Sequence, residues 1–110
     1  MFDQKLKSVE NLEKRTLLHY DVVDDCSGAS EDAPWLVFIH GAGGGIGTWK
    51  YQIEAFRPHY RLLLLDLRDH GLSKDVLPAF SAYDFDVICE DILAVIDALG
   101  IEKAHFLSLS

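Results

Sequence analysis

Two short runs of this sequence are almost entirely apolar, and they constrain the fold more than any other feature. They are WLVFI at 35–39 and RLLLLD at 61–66. A strand with one face in water alternates apolar and polar side chains, whereas a strand that is covered on both faces is apolar throughout. The two runs therefore predict inner strands of a parallel sheet.

A short helix is predicted between these two strands. Trp49, Ile53 and Phe56 recur at the spacing of one helical face, and the dipeptide Arg57-Pro58 ends the run. A strand, a helix and a second strand in this order form the crossover unit of a parallel sheet.

A longer helix and a third inner strand are predicted near the end of the chain. Gly100 is placed to end the helix, and Ser81 or Asp84 is placed to cap its start. The apolar stripe of the helix consists of Ile88, Ile92, Val95 and Leu99.

The segment AHFLSLS at 104–110 follows the helix directly and predicts the third strand.

The N-terminal part is predicted to add an antiparallel hairpin at about 5–23, because the segment at 14–23 has the composition of a strand with one wet face. A small, acidic loop follows at 24–34. The chain 1–110 thus predicts one α/β domain: a mostly parallel sheet with right-handed crossover helices and an N-terminal antiparallel hairpin. Because so apolar a sheet needs more elements to cover it, we expect the remainder of the domain to be absent.

Composition argues against several classes of function. The chain has 18 Asp and Glu against 10 Lys and Arg, and the resulting formal charge of -8 disfavours a nucleic-acid partner. Cys26 and Cys89 lack the spacing of metal ligands and predict neither a metal site nor a disulfide, so a cytoplasmic location is expected. No run is long and apolar enough to predict a signal sequence or a membrane span.

The glycine-rich segment HGAGGGIGTW at 40–49 fits two chemistries. It is similar to the fingerprint of NAD(P)-dependent short-chain dehydrogenases, in which Gly45 and Gly47 would approach a cofactor pyrophosphate and Asp66 would accept a hydrogen bond from the ribose. The bulky Trp49 argues against this interpretation, because the helix after such a loop should begin with small residues. The dehydrogenase is therefore the less favoured alternative.

Three blocks together resemble the N-terminal part of the α/β-hydrolase family. They are WLVFIHGAGGGIGTW, LLLLDLRDHGLSKD and YDFDVICEDILAVIDALGIEKAHFLSLS, and they cover about 35–110 in the order in which the family has them. The resemblance implies an incomplete α/β-hydrolase fold, in which the turn at 40–49 is an oxyanion loop and the strand at 104–110 carries the nucleophile.

The resemblance also implies which groups take part in the chemistry. The backbone N–H of Ala42 would donate a hydrogen bond to the oxyanion of a tetrahedral intermediate, and the N–H of Gly43 is the second choice. In the register of the family's G-x-S-x-G elbow, Ser108 takes the first glycine position, which makes Ser110 the nucleophile.

Other residues are implied to shape the pocket without reacting. In the family, the loop that corresponds to 66–73 builds the pocket floor, and Asp69 stands where glycine is usual; Asp is among the few residues that tolerate a left-handed backbone. His40 is expected to hold the oxyanion loop by hydrogen bonds to the backbone. The residues with these pocket roles are His40, Gly41, Asp66, Arg68 and His70.

The implied activity is that of a serine hydrolase, which cleaves an ester or a related bond of a small-molecule substrate through an acyl-enzyme and needs no metal or organic cofactor. In this family the acid and the His follow the nucleophile. We therefore expect them on a second polypeptide segment that also carries the remaining strands, and we expect the 110 residues alone to be inactive. A non-catalytic binding protein with an α/β-hydrolase-like fold is the alternative, because a fold does not determine function.

Overall fold

The computed structural model describes residues 17–25, 32–73 and 85–109. Its four strands are β1 (Tyr20–Val23), β2 (Trp35–Ile39), β3 (Arg61–Leu65) and β4 (Ala104–Ser108). They form one sheet in the order β1-β3-β2-β4, in which β1 runs antiparallel to β3 and the other neighbours are parallel. This mostly parallel sheet confirms the predicted α/β class.

Two helices connect the parallel strands. A 3₁₀ turn at Ile46–Trp49 leads into helix α1 (Lys50–Phe56), where the spacing of apolar residues predicted a helix. A second 3₁₀ turn at Gly71–Ser73 follows β3, and helix α2 spans Phe85–Ala98. Within the described ranges, neither helix has the length and apolarity needed to cross a membrane.

Helix α2 ends at the predicted glycine. Gly100 has φ 70°, and its N–H donates to the carbonyl of Asp97 at 3.0 Å, while the N–H of Ile101 donates to the carbonyl of Ile96 at 3.1 Å. These two bonds form a Schellman ending, which satisfies carbonyls that the helix leaves without partners.

Strands β2 and β3 are covered on both faces. The chain moves from β2 to β3 in one direction along the sheet and from β3 to β4 in the other, so right-handed crossovers place α1 and α2 on opposite faces. The cluster on the α2 side includes Val37, Leu63, Leu65, Ile92, Val95 and Ile96. The cluster on the α1 side comprises Leu36, Phe38, Trp49, Leu62 and Leu64, with Ile53 and Phe56 against it. Alternate residues of each strand therefore enter different clusters, which explains why the runs are continuously apolar.

The N-terminal hairpin is described only in part. Of the strand predicted at 14–23, Tyr20–Val23 forms β1, which pairs with β3. The predicted hairpin partner lies outside the described residues, and so do the candidate caps Ser81 and Asp84 of helix α2.

The third predicted strand is present and has a bare edge in the part of the chain that the structure describes. It ends at Ser108, and within the described residues it lies at the edge of the sheet. Its side chains are accordingly more exposed than those of β2 and β3, and Phe106 is 55% exposed. Because no described element covers that edge, apolar composition did not lead to burial here.

Candidate active site

The candidate site lies at the carboxyl end of the parallel strands. The loop at 40–49 follows β2, and the loop at 66–73 follows β3, its neighbour in the sheet. The connections that begin with these loops lead to opposite faces of the sheet, the arrangement that forms ligand crevices in open α/β sheets. The topology therefore brings together the two loops that the sequence singled out.

The end of β4 lies beside the start of the loop at 40–49. Ile39 is paired with Ser108, and the N–H of Leu109 donates to the carbonyl of Ile39 at 3.1 Å. The chain after β4 thus starts at the level where the glycine-rich turn begins. Ser110 itself lies outside the described residues.

The glycine-rich turn is held by its own backbone. The N–H of Gly44 donates to the carbonyl of Gly41 at 3.0 Å, and Gly43 has φ 86°, a left-handed conformation that glycine adopts at little cost. A Cβ atom on Gly44 would lie 2.8 Å from Oγ1 of Thr48 and 3.2 Å from the Gly41 carbonyl oxygen. Side chains at 43 and 44 would therefore strain or crowd the turn.

The carboxylate of Asp66 joins the two loops. Its Oδ1 accepts the N–H of Ile46 at 2.8 Å, and its Oδ2 accepts the N–H of Leu72 at 3.0 Å. The Asp66 residue is only 4% exposed. A buried carboxylate needs such donors, and here they come from the beginnings of the two 3₁₀ turns.

His40 is buried and links the same loops through the backbone. Its Nδ1 lies 2.7 Å from the carbonyl oxygen of Gly41, and its Nε2 accepts the N–H of Leu67 at 3.0 Å. A carbonyl can only accept, so the proton of the imidazole is on Nδ1. Both ring nitrogens are engaged in holding the chain.

His70 makes a second bridge of the same kind. Its Nε2 accepts the N–H of Gly43 at 2.9 Å, and its Nδ1 lies 2.9 Å from the carbonyl oxygen of Arg68. The rings of His40 and His70 lie with their centroids 4.9 Å apart. Asp69, between Arg68 and His70, has φ 68°, so this position is left-handed and is occupied by one of the few residues that tolerate that backbone conformation.

Arg68 is directed towards helix α2. Its Nε and Nη2 donate to the two carboxylate oxygens of Asp91, each at 2.8 Å, and the side chains of this pair are only 11% and 7% exposed. The hydrogen bond to Asp91 raises the pKa of Arg68 above its ordinary value. Such a bidentate pair fixes the orientation of the guanidinium as well as its charge.

Ala42 differs from the two residues that follow it in the turn. The N–H of Gly43 is bonded to His70 and that of Gly44 to Gly41, whereas the exposed Ala42 has an N–H with no acceptor among the described residues. A backbone N–H without an acceptor, on an exposed residue at the carboxyl ends of parallel strands, is able to bind an anionic oxygen.

The sequence did not single out two residues that support the site. Ser73 is buried, and its Oγ donates to the carbonyl of Asp66 at 2.7 Å and accepts the N–H of His19 at 2.8 Å. Asp91 is the buried partner of Arg68. The signal available for Asp91 was its place between Ile88 and Val95 on the apolar face of α2, since a carboxylate there requires a partner.

An open cavity of about 950 Å³ lies at the amino ends of the parallel strands, whereas the two loops lie at the carboxyl ends. It is bounded by residues such as Trp35, Arg61 and Ala104, and none of the residues around it belongs to the loops at 40–49 or 66–73. The candidate site is therefore formed by the two loops and does not include this cavity.

The alpha/beta hydrolase fold family matches residues 34–110, which is most of the chain. With a family match of this extent and the strand order described above, the chain belongs to the α/β-hydrolase fold family. The family assignment confirms the resemblance on which the sequence interpretation was based.

Individual relatives agree with this assignment. The chain is 40% identical over 80 residues to 3-oxoadipate enol-lactonase 1 of Acinetobacter baylyi, which covers 73% of the chain and 29% of that protein. It is 34% identical over 91 residues to epoxide hydrolase 1 of Caenorhabditis elegans, covering 83% of the chain and 21% of that protein. The chain thus spans less than a third of the length of these two relatives.

A solved structure supports the fold. The enol-lactonase from Burkholderia xenovorans superposes with a TM-score of 0.73 at 33% sequence identity, over 84% of this chain and 34% of that chain. This superposition agrees with the family assignment.

The dehydrogenase alternative does not agree with these findings. It requires the carboxylate of Asp66 to accept a hydrogen bond from a ribose, but both oxygens accept backbone N–H groups of this chain, and the side chain is buried. The family match likewise places the glycine-rich turn in a different class of protein.

Proposed function

We infer that the protein carrying this chain is a serine hydrolase, which cleaves an ester or a related small-molecule bond through an acyl-enzyme. The observation that carries this proposal is the turn after β2, next to the end of the strand that precedes Ser110: its residue Ala42 is exposed and has an N–H without an acceptor among the described residues. Membership in a family of hydrolases supports the same conclusion.

In the proposed reaction, the hydroxyl oxygen of Ser110 attacks the carbonyl carbon of the substrate, and a general base takes the hydroxyl proton. The carbonyl oxygen becomes an oxyanion, to which the Ala42 N–H donates. The proton then passes to the leaving alcohol as its bond to carbon breaks. Water hydrolyses the acyl-enzyme by the same steps in the second half of the cycle.

The remaining groups of this mechanism are expected on a second polypeptide segment. They are the base, the carboxylate that orients it, and the second oxyanion donor, which is the N–H of the residue after the nucleophile. The chain covers only part of the length of its relatives, so hydrolysis by the whole protein depends on this segment.

An enol ester or lactone is the first substrate class to test. The names of a curated relative at 40% identity and of a structural relative at 33% identity both specify an enol-lactonase. An epoxide is a useful comparison substrate, because an epoxide hydrolase is also among the relatives.

The proposal predicts that a fluorophosphonate probe labels Ser110 in the protein that carries this chain. Ser110→Ala should abolish labelling and lower the rate of ester hydrolysis by at least about 10⁴-fold, because the nucleophile is lost. Mass spectrometry of the labelled peptide and steady-state kinetics measure these effects.

Ser27→Ala, in the predicted acidic loop at 24–34, is the matched serine control and should label and hydrolyse like the wild type. The hydrolase proposal fails if Ser110→Ala retains labelling and hydrolysis. An unlabelled wild type, together with a Ser110→Ala variant that keeps its biological activity, would instead indicate the binding-protein alternative.

A further inference from the structure

We propose that His70 is a positioning residue for hydrolysis: by accepting the N–H of Gly43, it fixes the turn so that the N–H of Ala42 is the one presented to the reacting carbonyl. This inference rests on the proposed function. It goes further, because it names the residue that selects between two candidate donors of the oxyanion loop.

The N–H of Gly43 is occupied by a hydrogen bond to His70. The N–H of Gly43 and Nε2 of His70 are 2.9 Å apart, although 27 residues separate them in the chain. An N–H that is bonded to an imidazole nitrogen is not available to an oxyanion unless that bond breaks. Gly43, the second-choice donor in the sequence interpretation, is therefore occupied.

The backbone of Arg68 fixes the tautomer of His70. Nδ1 lies 2.9 Å from the carbonyl oxygen of Arg68, and a carbonyl only accepts, so Nδ1 carries the proton and Nε2 is a bare acceptor. The backbone of Arg68 thus determines that His70 accepts from the turn. Arg68 itself is oriented by its two hydrogen bonds to Asp91 on helix α2.

These hydrogen bonds restrain the turn around Ala42. The peptide unit between Ala42 and Gly43 is anchored on one side by the bond to His70, and the turn is closed by the bond from Gly44 to Gly41. Gly43 supplies the left-handed φ of 86° that this path needs. Within these restraints the Ala42 N–H lacks an acceptor among the residues that the structure describes, and Ala42 is an exposed residue at the carboxyl ends of the parallel strands.

The test compares two substitutions of His70 in the protein that carries this chain. His70→Leu removes the acceptor, whereas the side-chain oxygen of His70→Gln can still accept an N–H. A displacement of about 1 Å in a catalytic group costs on the order of 100-fold in rate. We therefore expect His70→Leu to lower kcat by about 10- to 100-fold with KM changed by less than about threefold, and His70→Gln to recover most of the loss.

The kcat value is to be expressed per serine labelled by the fluorophosphonate, so that unfolded protein does not contribute. His59→Leu is the control, because His59 is exposed and lies outside both loops; it should leave kcat and KM unchanged. Amide hydrogen exchange of Gly43, followed by NMR, should accelerate in His70→Leu and not in His59→Leu.

Two outcomes would overturn the inference. One is a His70→Leu variant with the kcat of the wild type, and the other is unchanged exchange of the Gly43 amide. If the wild type shows no serine-dependent hydrolysis, the proposed function fails, and the Gly43 exchange measurement still decides whether His70 restrains the turn.

Discussion

At the residue scale, Asp66 is the group on which both loops of the candidate site depend. Each of its carboxylate oxygens accepts one backbone N–H, from Ile46 in one loop and from Leu72 in the other. A Cβ atom on Gly71 would lie 2.5 Å from the carboxylate carbon, so this carboxylate also explains a glycine in its loop. The two loops of the candidate site are thus held by hydrogen bonds from backbone N–H groups to one buried carboxylate.

Asp66→Asn is predicted to destabilise the protein. The amide keeps one acceptor oxygen but turns an NH₂ group towards a backbone N–H, so one buried donor loses its acceptor. We expect the free energy of unfolding to fall by about 2 kcal/mol, which urea unfolding would measure. Asp21→Asn, whose side chain is 54% exposed, is the matched control and should change it by less than about 0.5 kcal/mol. Equal losses in the two variants would contradict this role of Asp66.

At the element scale, local signals determined where helices end. The Schellman ending at Gly100 depends on a left-handed residue, and the sequence has a glycine at that position. The glycine at 47 is different, because it lies inside the 3₁₀ turn at Ile46–Trp49 and has no positive φ. A Cβ atom on either residue would meet no atom within 4 Å, so the pair separates backbone conformation from crowding.

Gly100→Ala and Gly47→Ala are therefore predicted to have different effects. Gly100→Ala should lower the free energy of unfolding by about 1 kcal/mol, the usual cost of placing an L-residue in the left-handed region. Gly47→Ala should cause no loss, because its backbone conformation suits alanine. Thermal unfolding of both variants tests the pair, and a loss of stability in Gly47→Ala equal to that in Gly100→Ala would argue against the conformational explanation.

At the scale of the whole molecule, the loop after β3 is tied to the layer of helix α2. The pair between Arg68 and Asp91 makes this connection across 23 residues of sequence, with both side chains largely removed from water. Through His70 the same connection reaches the glycine-rich turn. A continuous series of hydrogen bonds therefore runs from helix α2 through Arg68 and His70 to the glycine-rich turn.

Asp91→Ala is predicted to cost about 3 kcal/mol of folding free energy, because it leaves the buried guanidinium without its carboxylate. Adding Arg68→Met should recover much of that loss, since an apolar side chain of similar length needs no such partner. Urea unfolding of the single and double variants forms the test. The exposed pair of Glu54 and Arg57 provides the control, and Glu54→Ala should have no measurable effect. A double variant less stable than Asp91→Ala would contradict this account.

Much of the fold could be predicted because its signals are local. The apolar runs that became β2 and β3, the helical spacing in α1 and the glycine after α2 each depend on a few neighbouring residues. The strand before Ser110 was predicted for the same reason. The exposure of β4 agrees with the expectation that this sheet needs further elements to cover it, because no described element packs on its free edge.

The order of strands and helices, the glycine-rich turn after β2 and the family of the chain could therefore be predicted from local patterns of residues. The hydrogen bonds of Asp66 to both loops, the bond from the Gly43 N–H to His70 and the lack of an acceptor for the Ala42 N–H among the described residues became evident from the three-dimensional arrangement. Periodicity and capping act within one element, whereas the bonds from Ile46 to Asp66 and from Gly43 to His70 join residues 20 and 27 positions apart and leave no pattern in the sequence.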